Sequence, residues 1–270
     1  MDPWRTAPRT SGPLGINDAG DPFGDLLGDT PGALGLNDYA DPDIPLVLNA
    51  AKTAEWISER GKELTKACEG NQGKPYWPEG ASGITIGYGY DLRERSGPEV
   101  TSQLITAGVA ADLAALLSTG HAKSAATQPT AKAFLDSPVT FRGVKTTYRQ
   151  LEIEPSARDK LFELVYGINA QDVRRICLKQ DVAAQYGNCD WSALHPAIKA
   201  VLIDLRFRGD YHPESRRYLQ KTVARNDPAA FGQALKLFLD QHADVYARGI
   251  VDRFQKRIDF VNRYGRVKVN

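Results

Sequence analysis

Between residues 49 and 69, small and apolar residues recur at steps of three and four, the spacing of one face of an amphipathic α-helix. The recurring positions are Ala50, Ala54, Ile57, Gly61, Leu64 and Cys68. Glu69 and Gly70 follow at once, and glycine commonly ends a helix. The pattern therefore predicts a first helix that ends at Glu69, with the carboxyl group beside the apolar face.

The pattern changes over residues 72–90, which are rich in glycine, proline and aromatic side chains. This composition predicts loops with one or two short strands, and Ile84–Ile86 is the best strand candidate. Gly87 and Gly89 follow the strand, and glycine in such a position lets another chain approach the backbone closely. Asp91 comes directly after this glycine-punctuated stretch.

After Pro98 helical periodicity dominates, apart from residues 128–148, which predict a loop or a small hairpin. Asp227 and Pro228 form a good helix start, with aspartate as the N-cap and proline at the first position. The predicted helices are Val100–Ser118, Ser156–Tyr166, Gln171–Tyr186, Ala193–Phe207, Asp227–Ala243 and Asp244–Tyr264. The fold class is therefore α+β and mostly α, with a small β element near the start and a helical lobe.

The first fifty residues differ from the rest of the 270-residue chain. They hold seven prolines, seven glycines, and eight aspartates against two arginines, a net charge of −6. Because the whole chain is +1, residues 51–270 carry +7, a weakly basic balance that suits an anionic polymer such as nucleic acid or cell-wall material. This predicts a flexible leader over residues 1–48 and a single folded domain over residues 49–270.

The leader contains a short repeat. Residues 13–22 and 33–42 share the pattern LGxNDxxDP at a spacing of 20 residues. Such turn-forming elements leave three interpretations open: a docking or delivery signal, a weak calcium site, or a flexible segment with two local turns. The acids do not match an EF-hand loop, which disfavours calcium.

Three cysteines, Cys68, Cys177 and Cys189, form neither a disulfide framework nor a zinc pattern. Either Cys177 and Cys189 form one bridge in an oxidising compartment or, the favoured interpretation, all three are buried or free thiols. No apolar run is long enough to span a membrane, and the N-terminus lacks the apolar core of a secretory signal peptide.

The four histidines, His121, His195, His212 and His242, show no paired ligand spacing. A structural role is therefore favoured over metal binding, and no metal or other cofactor is predicted.

The acids and the threonine around the strand fit the hydrolysis of a glycosidic bond. That reaction needs a carboxylic acid that keeps its proton near neutral pH, and burial against apolar neighbours raises a carboxyl pKa. Glu69 at its helix end is placed for this role. Asp91 could activate water or stabilise charge on the sugar if the strand folds back over the helix end, and Thr85 could hold the water.

Other side chains are candidates for substrate contact. Tyr76 and Trp77 could stack on a sugar face, although as core aromatics they would be equally ordinary. Tyr88 and Tyr90, which alternate with Gly87 and Gly89, are further candidates for substrate contact. Arg208 follows a predicted helix end and could line a cleft or be a solvated helix terminus.

The order of these residues resembles a known family. Glu69-Gly70, an aromatic loop and then GITIGYG at 83–89 look like the amino-terminal signature of phage-type lysozymes, and the continuation YDL at 90–92 resembles the pesticin-like branch of that superfamily. The run AVLIDLRFRG at 200–209 is similar to the central helix of that fold, and Arg253 and Arg257 resemble its closing arginine-rich helix. The resemblance spans about residues 51–270.

The resemblance implies roles for individual residues. Glu69 would be the general acid and Thr85 would position the catalytic water or the substrate. The second carboxylate would be Asp91, six residues after Thr85 as in the pesticin-like pattern, with Glu79, six residues before it, as the alternative. Tyr90 stands where a histidine often follows the second glycine in phage-type enzymes, so roles of that histidine do not transfer.

The sequence therefore predicts a muramidase that cleaves the β-1,4 bond between N-acetylmuramic acid and N-acetylglucosamine. A lytic transglycosylase and a non-catalytic glycan-binding module are the alternatives. The leader and the YDL motif favour an antibacterial effector, made without a signal peptide and acting in the periplasm of a rival bacterium, over a phage endolysin. The expected partners are glycan strands, an immunity protein and a component of a secretion apparatus, with no nucleic acid and no membrane span.

Overall fold

The computed structural model describes residues 49–78, 82–121 and 128–269. The predicted leader with its repeats and the alternative carboxylate Glu79 lie outside these residues. Helices make up most of the described chain, and a small antiparallel sheet follows the first helix, which confirms the α+β, mostly helical class. None of the described helices is long and apolar enough to cross a membrane.

The described residues form ten α-helices and five short strands. The helices are α1 (Ala50–Cys68), α2 (Gly97–Thr106), α3 (Ala111–Ser118), α4 (Gln128–Leu135), α5 (Pro155–Cys177), α6 (Gln180–Tyr186), α7 (Pro196–Arg208), α8 (Pro213–Ala224), α9 (Pro228–His242) and α10 (Arg248–Tyr264). The strands are β1 (Gln72–Tyr76), β2 (Thr85–Gly87), β3 (Tyr90–Asp91), β4 (Pro138–Phe141) and β5 (Val144–Thr147).

Helix α7 lies at the centre of the helical lobe. All of its residues from Pro196 to Leu205 are buried except Lys199. Helix α1 packs against it closely, because a Cβ added at Gly61 would come within 2.4 Å of the Ala200 Cβ. A glycine at this position therefore allows the two helices to approach each other.

Helix α1 ends where the sequence predicts, at Glu69. The Asn49 side chain caps its N-terminus by accepting a hydrogen bond from the Lys52 amide at 3.0 Å. The chain leaves the helix at Glu69, whose backbone is extended. Gly70 follows the cap without a positive φ, so the helix ends here without a left-handed glycine.

The small sheet has the order β1-β2-β3, with both pairs antiparallel. Its register places Tyr76 opposite Thr85 and Thr85 opposite Asp91. Gly87 and Gly89 both have positive φ, at 61° and 70°, and form the tight connection between β2 and β3. A row of three polar side chains therefore crosses the sheet beside a glycine turn.

Several predicted helix boundaries are wrong. The predicted helix Val100–Ser118 is two helices, α2 and α3, because Gly108 has a φ of +91° and breaks the chain between them. Helix α5, in contrast, runs without interruption through Gly167, where a gap between two helices was predicted. The helix packs against α7, and such packing overrides the weak helix propensity of glycine. Helices α4 and α8 were not predicted.

Other boundaries match the sequence pattern. The Asp227 side chain caps α9 by accepting from the Ala230 amide at 3.0 Å. Residues 138–147 form the β4–β5 hairpin in the segment for which a loop or hairpin was expected. Helix α7 ends at Gly209, which adopts the left-handed conformation with a φ of 92°.

Candidate active site

Glu69 stands at the junction between the helical lobe and the sheet. It is the C-cap residue of α1, and its side chain is 17 % exposed. Its Oε1 accepts a hydrogen bond from Arg253 Nη1 at 2.5 Å. The carboxyl group is therefore fixed from the helical side by α10 and still reaches solvent.

The turn between β2 and β3 lies directly against the other oxygen of Glu69. A Cβ added at Gly89 would stand 2.7 Å from Glu69 Oε2 and 3.8 Å from the Phe207 ring. Gly89 also has a positive φ, which disfavours any other residue. Glycine is thus required here for two reasons, and one of them is access to the carboxyl group.

The surroundings of Glu69 favour its protonated form. Burial raises the pKa of Glu69, and the nearby Arg253 charge and hydrogen bond, which lower the pKa, do not cancel that effect. A carboxylic acid with a raised pKa and a solvent-exposed edge has the property that a general acid needs.

Arg253 belongs to a buried network of alternating charges. It donates to Asp204 through Nη2 at 2.5 Å and through Nε at 3.2 Å. Arg257 bonds the same Asp204 at 2.6 Å and reaches Asp210 at 2.8 Å. Arg208 is the last member of the network, and its Nη1 donates to Asp210 Oδ1 at 2.7 Å. The network connects α7 and α10 to the carboxyl group of Glu69.

Asp204 is ionised within this network. Burial alone would raise its pKa, but the charges of Arg257 and Arg253 outweigh burial and hold the pKa of Asp204 at about 2. Asp204 therefore keeps a negative charge beside Arg253 and Arg257 at neutral pH, whatever the protonation state of Glu69.

The polar row of the sheet faces the same region. Tyr76 Oη lies 3.4 Å from the position of a Cβ at Gly70, the residue after Glu69. Burial raises the pKa of Tyr76, and the negative charges of Glu69 and Asp91 raise it further. The Tyr76 hydroxyl is thus within electrostatic reach of both carboxyl groups.

Asp91 holds the β region together. Its Oδ2 accepts from the Gly83 amide and its Oδ1 from the Arg93 amide, each at 2.8 Å. Burial raises the pKa of Asp91, against the lowering effect of these two hydrogen bonds. Each oxygen keeps a further lone pair, so the carboxyl group could accept one more proton or hydrogen bond.

Thr85 lies between Tyr76 and Asp91 and is 3 % exposed. Its hydroxyl donates to the Gly83 carbonyl at 3.1 Å. Because the single donor is occupied, Thr85 can offer a water molecule or a substrate only an acceptor.

The structure corrects one predicted substrate contact. Tyr90 is 2 % exposed, its hydroxyl donates to Gln103 Oε1 at 2.7 Å, and Arg95 stacks on its ring. A side chain in this position is part of the core and cannot stack on a sugar. The strand alternation turns Tyr90 away from the face that carries Thr85 and Asp91.

Three further predicted substrate contacts form bonds to other groups of the protein. Trp77 is partly buried against the core, and its indole donates to the Ser82 carbonyl at 2.9 Å. The Tyr88 hydroxyl accepts from Asn71 at 2.9 Å and lies 3.2 Å from Asp159, which holds it toward α5. Arg208 is half-buried and bound to Asp210 rather than extended into solvent.

Sequence reasoning did not find the contacts of Arg253, Asp204 and Asp210. A signal was present: Arg253 and Arg257 are one turn apart on the apolar face of α10, and Asp204 interrupts the apolar run of α7. Charges at core positions of two helices indicate that the helices pair through them, because unpaired buried charges are costly.

Residues 62–268 match a protein family described as "Domain of unknown function (DUF8812)". The chain belongs to this family. No curated protein and no solved structure matches the chain. The family description gives no activity.

Proposed function

We propose that the protein is a peptidoglycan muramidase that hydrolyses the β-1,4 bond between N-acetylmuramic acid and N-acetylglucosamine, with Glu69 as general acid. The observation that supports this most is the position of Glu69. It is a partly exposed carboxyl group with a raised pKa, bound on one side by Arg253 and lying on the other against the turn of a sheet that carries Thr85 and Asp91.

Glu69 supplies the proton. Oε1 accepts from Arg253, so the proton resides on Oε2, the oxygen that faces Gly89. Transfer to the glycosidic oxygen breaks the bond to the anomeric carbon and leaves a carboxylate. Arg253, already in contact, stabilises that carboxylate as it forms.

Thr85 orients the attacking water molecule and Asp91 accepts a proton from it. The Thr85 hydroxyl can only accept, so it orients a water molecule with a lone pair directed away from the sheet. Asp91, whose pKa is raised, accepts a proton from this water molecule as the water oxygen attacks the anomeric carbon. If the water attacks from the side opposite Glu69, the reaction inverts the configuration of the anomeric carbon.

A lytic transglycosylase is the second candidate, and one observation favours it. Both carboxylate oxygens of Asp91 already accept backbone hydrogen bonds, which is what a purely structural residue would do. In that reaction the sugar's own hydroxyl replaces water, Glu69 remains essential, and the products end in an anhydro sugar.

The biological setting that we propose is that of an antibacterial effector acting in the periplasm of a rival bacterium. Its support is the repeated LGxNDxxDP pattern and the resemblance of the YDL motif to the pesticin-like branch. An immunity protein in the producing cell and a secretion component that binds the repeats are the partners that this setting requires.

The test is digestion of purified peptidoglycan, with released muropeptides identified by mass. Wild-type protein should release reducing-end products, and Glu69→Gln should lower the rate by about 10²–10⁴-fold. Glu63→Gln removes an exposed carboxylate from the same helix and is the matched control, with activity retained.

Other outcomes distinguish the candidates. Anhydro products from a protein in which Asp91→Asn retains activity would establish a transglycosylase. Peptidoglycan that is bound but yields no products, with a folded wild-type protein, would contradict both enzymes and leave a glycan-binding module.

A further inference from the structure

A pocket rich in positive side chains lies where the ends of α5 and α7 meet the start of α8. It is open to solvent and measures about 270 Å³. Its lining includes Asp172, Arg175, Lys179, Arg206, Tyr211 and Arg216. The volume is slightly below the range of about 300–1,000 Å³ that holds whole small molecules, so the pocket suits a small ligand or one group of a larger one.

Asp172 fixes two of these arginines. Its Oδ1 accepts from Arg175 Nη2 at 2.5 Å and from Arg175 Nε at 2.9 Å, and its Oδ2 lies 2.6 Å from Arg206 Nε. Arg206 uses only its Nε in this contact, and its two Nη groups form no hydrogen bond with the described residues. Arg206 therefore has oriented donors available for a ligand.

Arg216 has no carboxylate partner in the part of the chain that the structure describes. Its guanidinium lies 5.6 Å from the centre of the ring of Tyr211, which is buried. This distance is within the range of a cation–π contact, which holds the guanidinium in place without using its N–H groups. Arg216 therefore adds a second set of available donors to the pocket.

The charges of the pocket do not balance. Its four basic side chains form ion pairs with two of the described carboxylates, Asp172 and Asp181, and the latter lies 3.5 Å from Lys179. Four positive charges less two negative charges leave +2. Burial lowers the pKa of His212, which also lines the pocket, so this side chain adds no charge at neutral pH. A concave surface with uncompensated positive charge attracts a polyvalent anion.

We propose that this pocket binds a phosphate monoester, carried by a soluble molecule or by a lipid headgroup. Such a group has a charge of about −1.5 to −2 at pH 7 and three acceptor oxygens, which suits both the charge of the pocket and the donors of Arg206 and Arg216. A carboxylate would compensate only half of that charge. His212 and Pro213, where α8 begins, also line the pocket, and the start of a helix favours negative charge.

The inference does not depend on the proposed enzymatic function. None of the side chains that line the pocket has a role in the proposed reaction, so loss of peptidoglycan hydrolysis would leave the proposal unchanged. Direct binding to the full-length protein is therefore the appropriate measurement.

Glycerol 3-phosphate and phosphatidic acid carry the same phosphate monoester, one in solution and one in a membrane. Calorimetric titration with glycerol 3-phosphate at constant ionic strength should show one site per chain, with no binding of glycerol. Sedimentation with phosphatidylcholine vesicles, with and without phosphatidic acid, tests the second source. Binding to phosphatidic acid vesicles but not to glycerol 3-phosphate would assign the pocket to a lipid headgroup.

Two neighbouring arginines of α8 locate the site. Arg216→Gln removes a guanidinium of the pocket and should weaken binding of the phosphate at least about 10-fold. Arg217→Gln removes the same charge from an exposed residue outside the pocket lining and is the matched control. Because an exposed charge outside the pocket is screened, it should change binding by less than about 2-fold.

Lys179→Gln gives an independent check. Lys179 is 47 % exposed, so its replacement leaves the core intact, and the variant should bind the phosphate several-fold more weakly than wild type. Three results would overturn the proposal: no saturable binding of either probe to folded wild-type protein, equal losses in Arg216→Gln and Arg217→Gln, or a Lys179→Gln variant that binds like wild type.

Discussion

Glu69 and Asp204 are two carboxyl groups that bind the same guanidinium and have opposite pKa shifts. Burial acts to raise the pKa of both. Asp204 is bound by both Arg253 and Arg257, and its pKa falls to about 2. Among the described residues, Arg253 alone forms an ion pair with Glu69, and the pKa of Glu69 is raised. The difference follows from the number of close positive charges.

The comparison separates a structural role from a chemical one. Asp204 stays ionised beside Arg253 and Arg257, so Arg253 keeps a negatively charged partner when Glu69 gains a proton. Environments that push the pKa values of neighbouring acids apart are the arrangement by which enzymes assign different roles to similar groups.

The largest expected effect comes from removing Asp204. Asp204→Asn would leave Arg253 and Arg257 buried with less compensating charge, and should lower the free energy of unfolding by about 3–5 kcal/mol. Urea denaturation measures it. Asp172→Asn is the matched control: Asp172 is partly buried and also contacts two arginines, but Arg175 and Arg206 are exposed, so neither would be left as a buried charge and the loss should cost about 1 kcal/mol. Equal effects would contradict the buried network.

A smaller effect should appear on acidification. The folded pKa of Asp204 is depressed from 3.8 to about 2, so its contribution is complete above the unfolded value and is lost as pH falls through the folded value. The stability difference between wild type and Asp204→Asn should therefore shrink by about 2 kcal/mol between about pH 5 and pH 2. Groups outside the Arg253–Arg257 network cancel between the two proteins, and a difference independent of pH would contradict an ionised Asp204.

The two turn glycines test the position of Glu69. Gly87→Ala and Gly89→Ala both place alanine at positive φ, and each should cost about 1–2 kcal/mol of stability. Only at Gly89 would the new Cβ meet Glu69 Oε2; at Gly87 the nearest atoms are 3.9 Å away. Peptidoglycan digestion should therefore fall about 10²-fold more in Gly89→Ala than in Gly87→Ala. An equal loss of activity in the two variants would show that distortion of the turn, and not contact with Glu69, causes the loss.

The sequence predicted the parts of the site that depend on local chain geometry. The apolar periodicity of α1 located Glu69 at a helix end, and the glycine spacing located a turn followed by Asp91. Tyr90 was misassigned because its side depends on strand register, which a two-residue strand does not reveal. The Glu69–Arg253 contact joins residues 184 positions apart, so no local pattern could show it.

The smallest expected effect is on the stability of Glu69→Gln. The folded pKa of Glu69 is raised above 4.5, so the stability linked to its protonated form is complete below the unfolded value and is lost as pH rises through the folded value. Glutamine resembles the protonated form and can still accept from Arg253. Glu69→Gln should therefore have the same free energy of unfolding as wild type below about pH 4. At neutral pH the variant should be more stable than wild type by up to about 1 kcal/mol.

Thermal unfolding of both proteins across this range gives the sign directly. A variant that is less stable at neutral pH would show that the Glu69–Arg253 ion pair supports the fold, as the Asp204 pairs do. The contrast between the two acids would then disappear, and with it the argument that Glu69 holds a proton available for transfer. A more stable but inactive variant would mean that the protein gives up stability to hold a poorly solvated acid at the edge of the sheet.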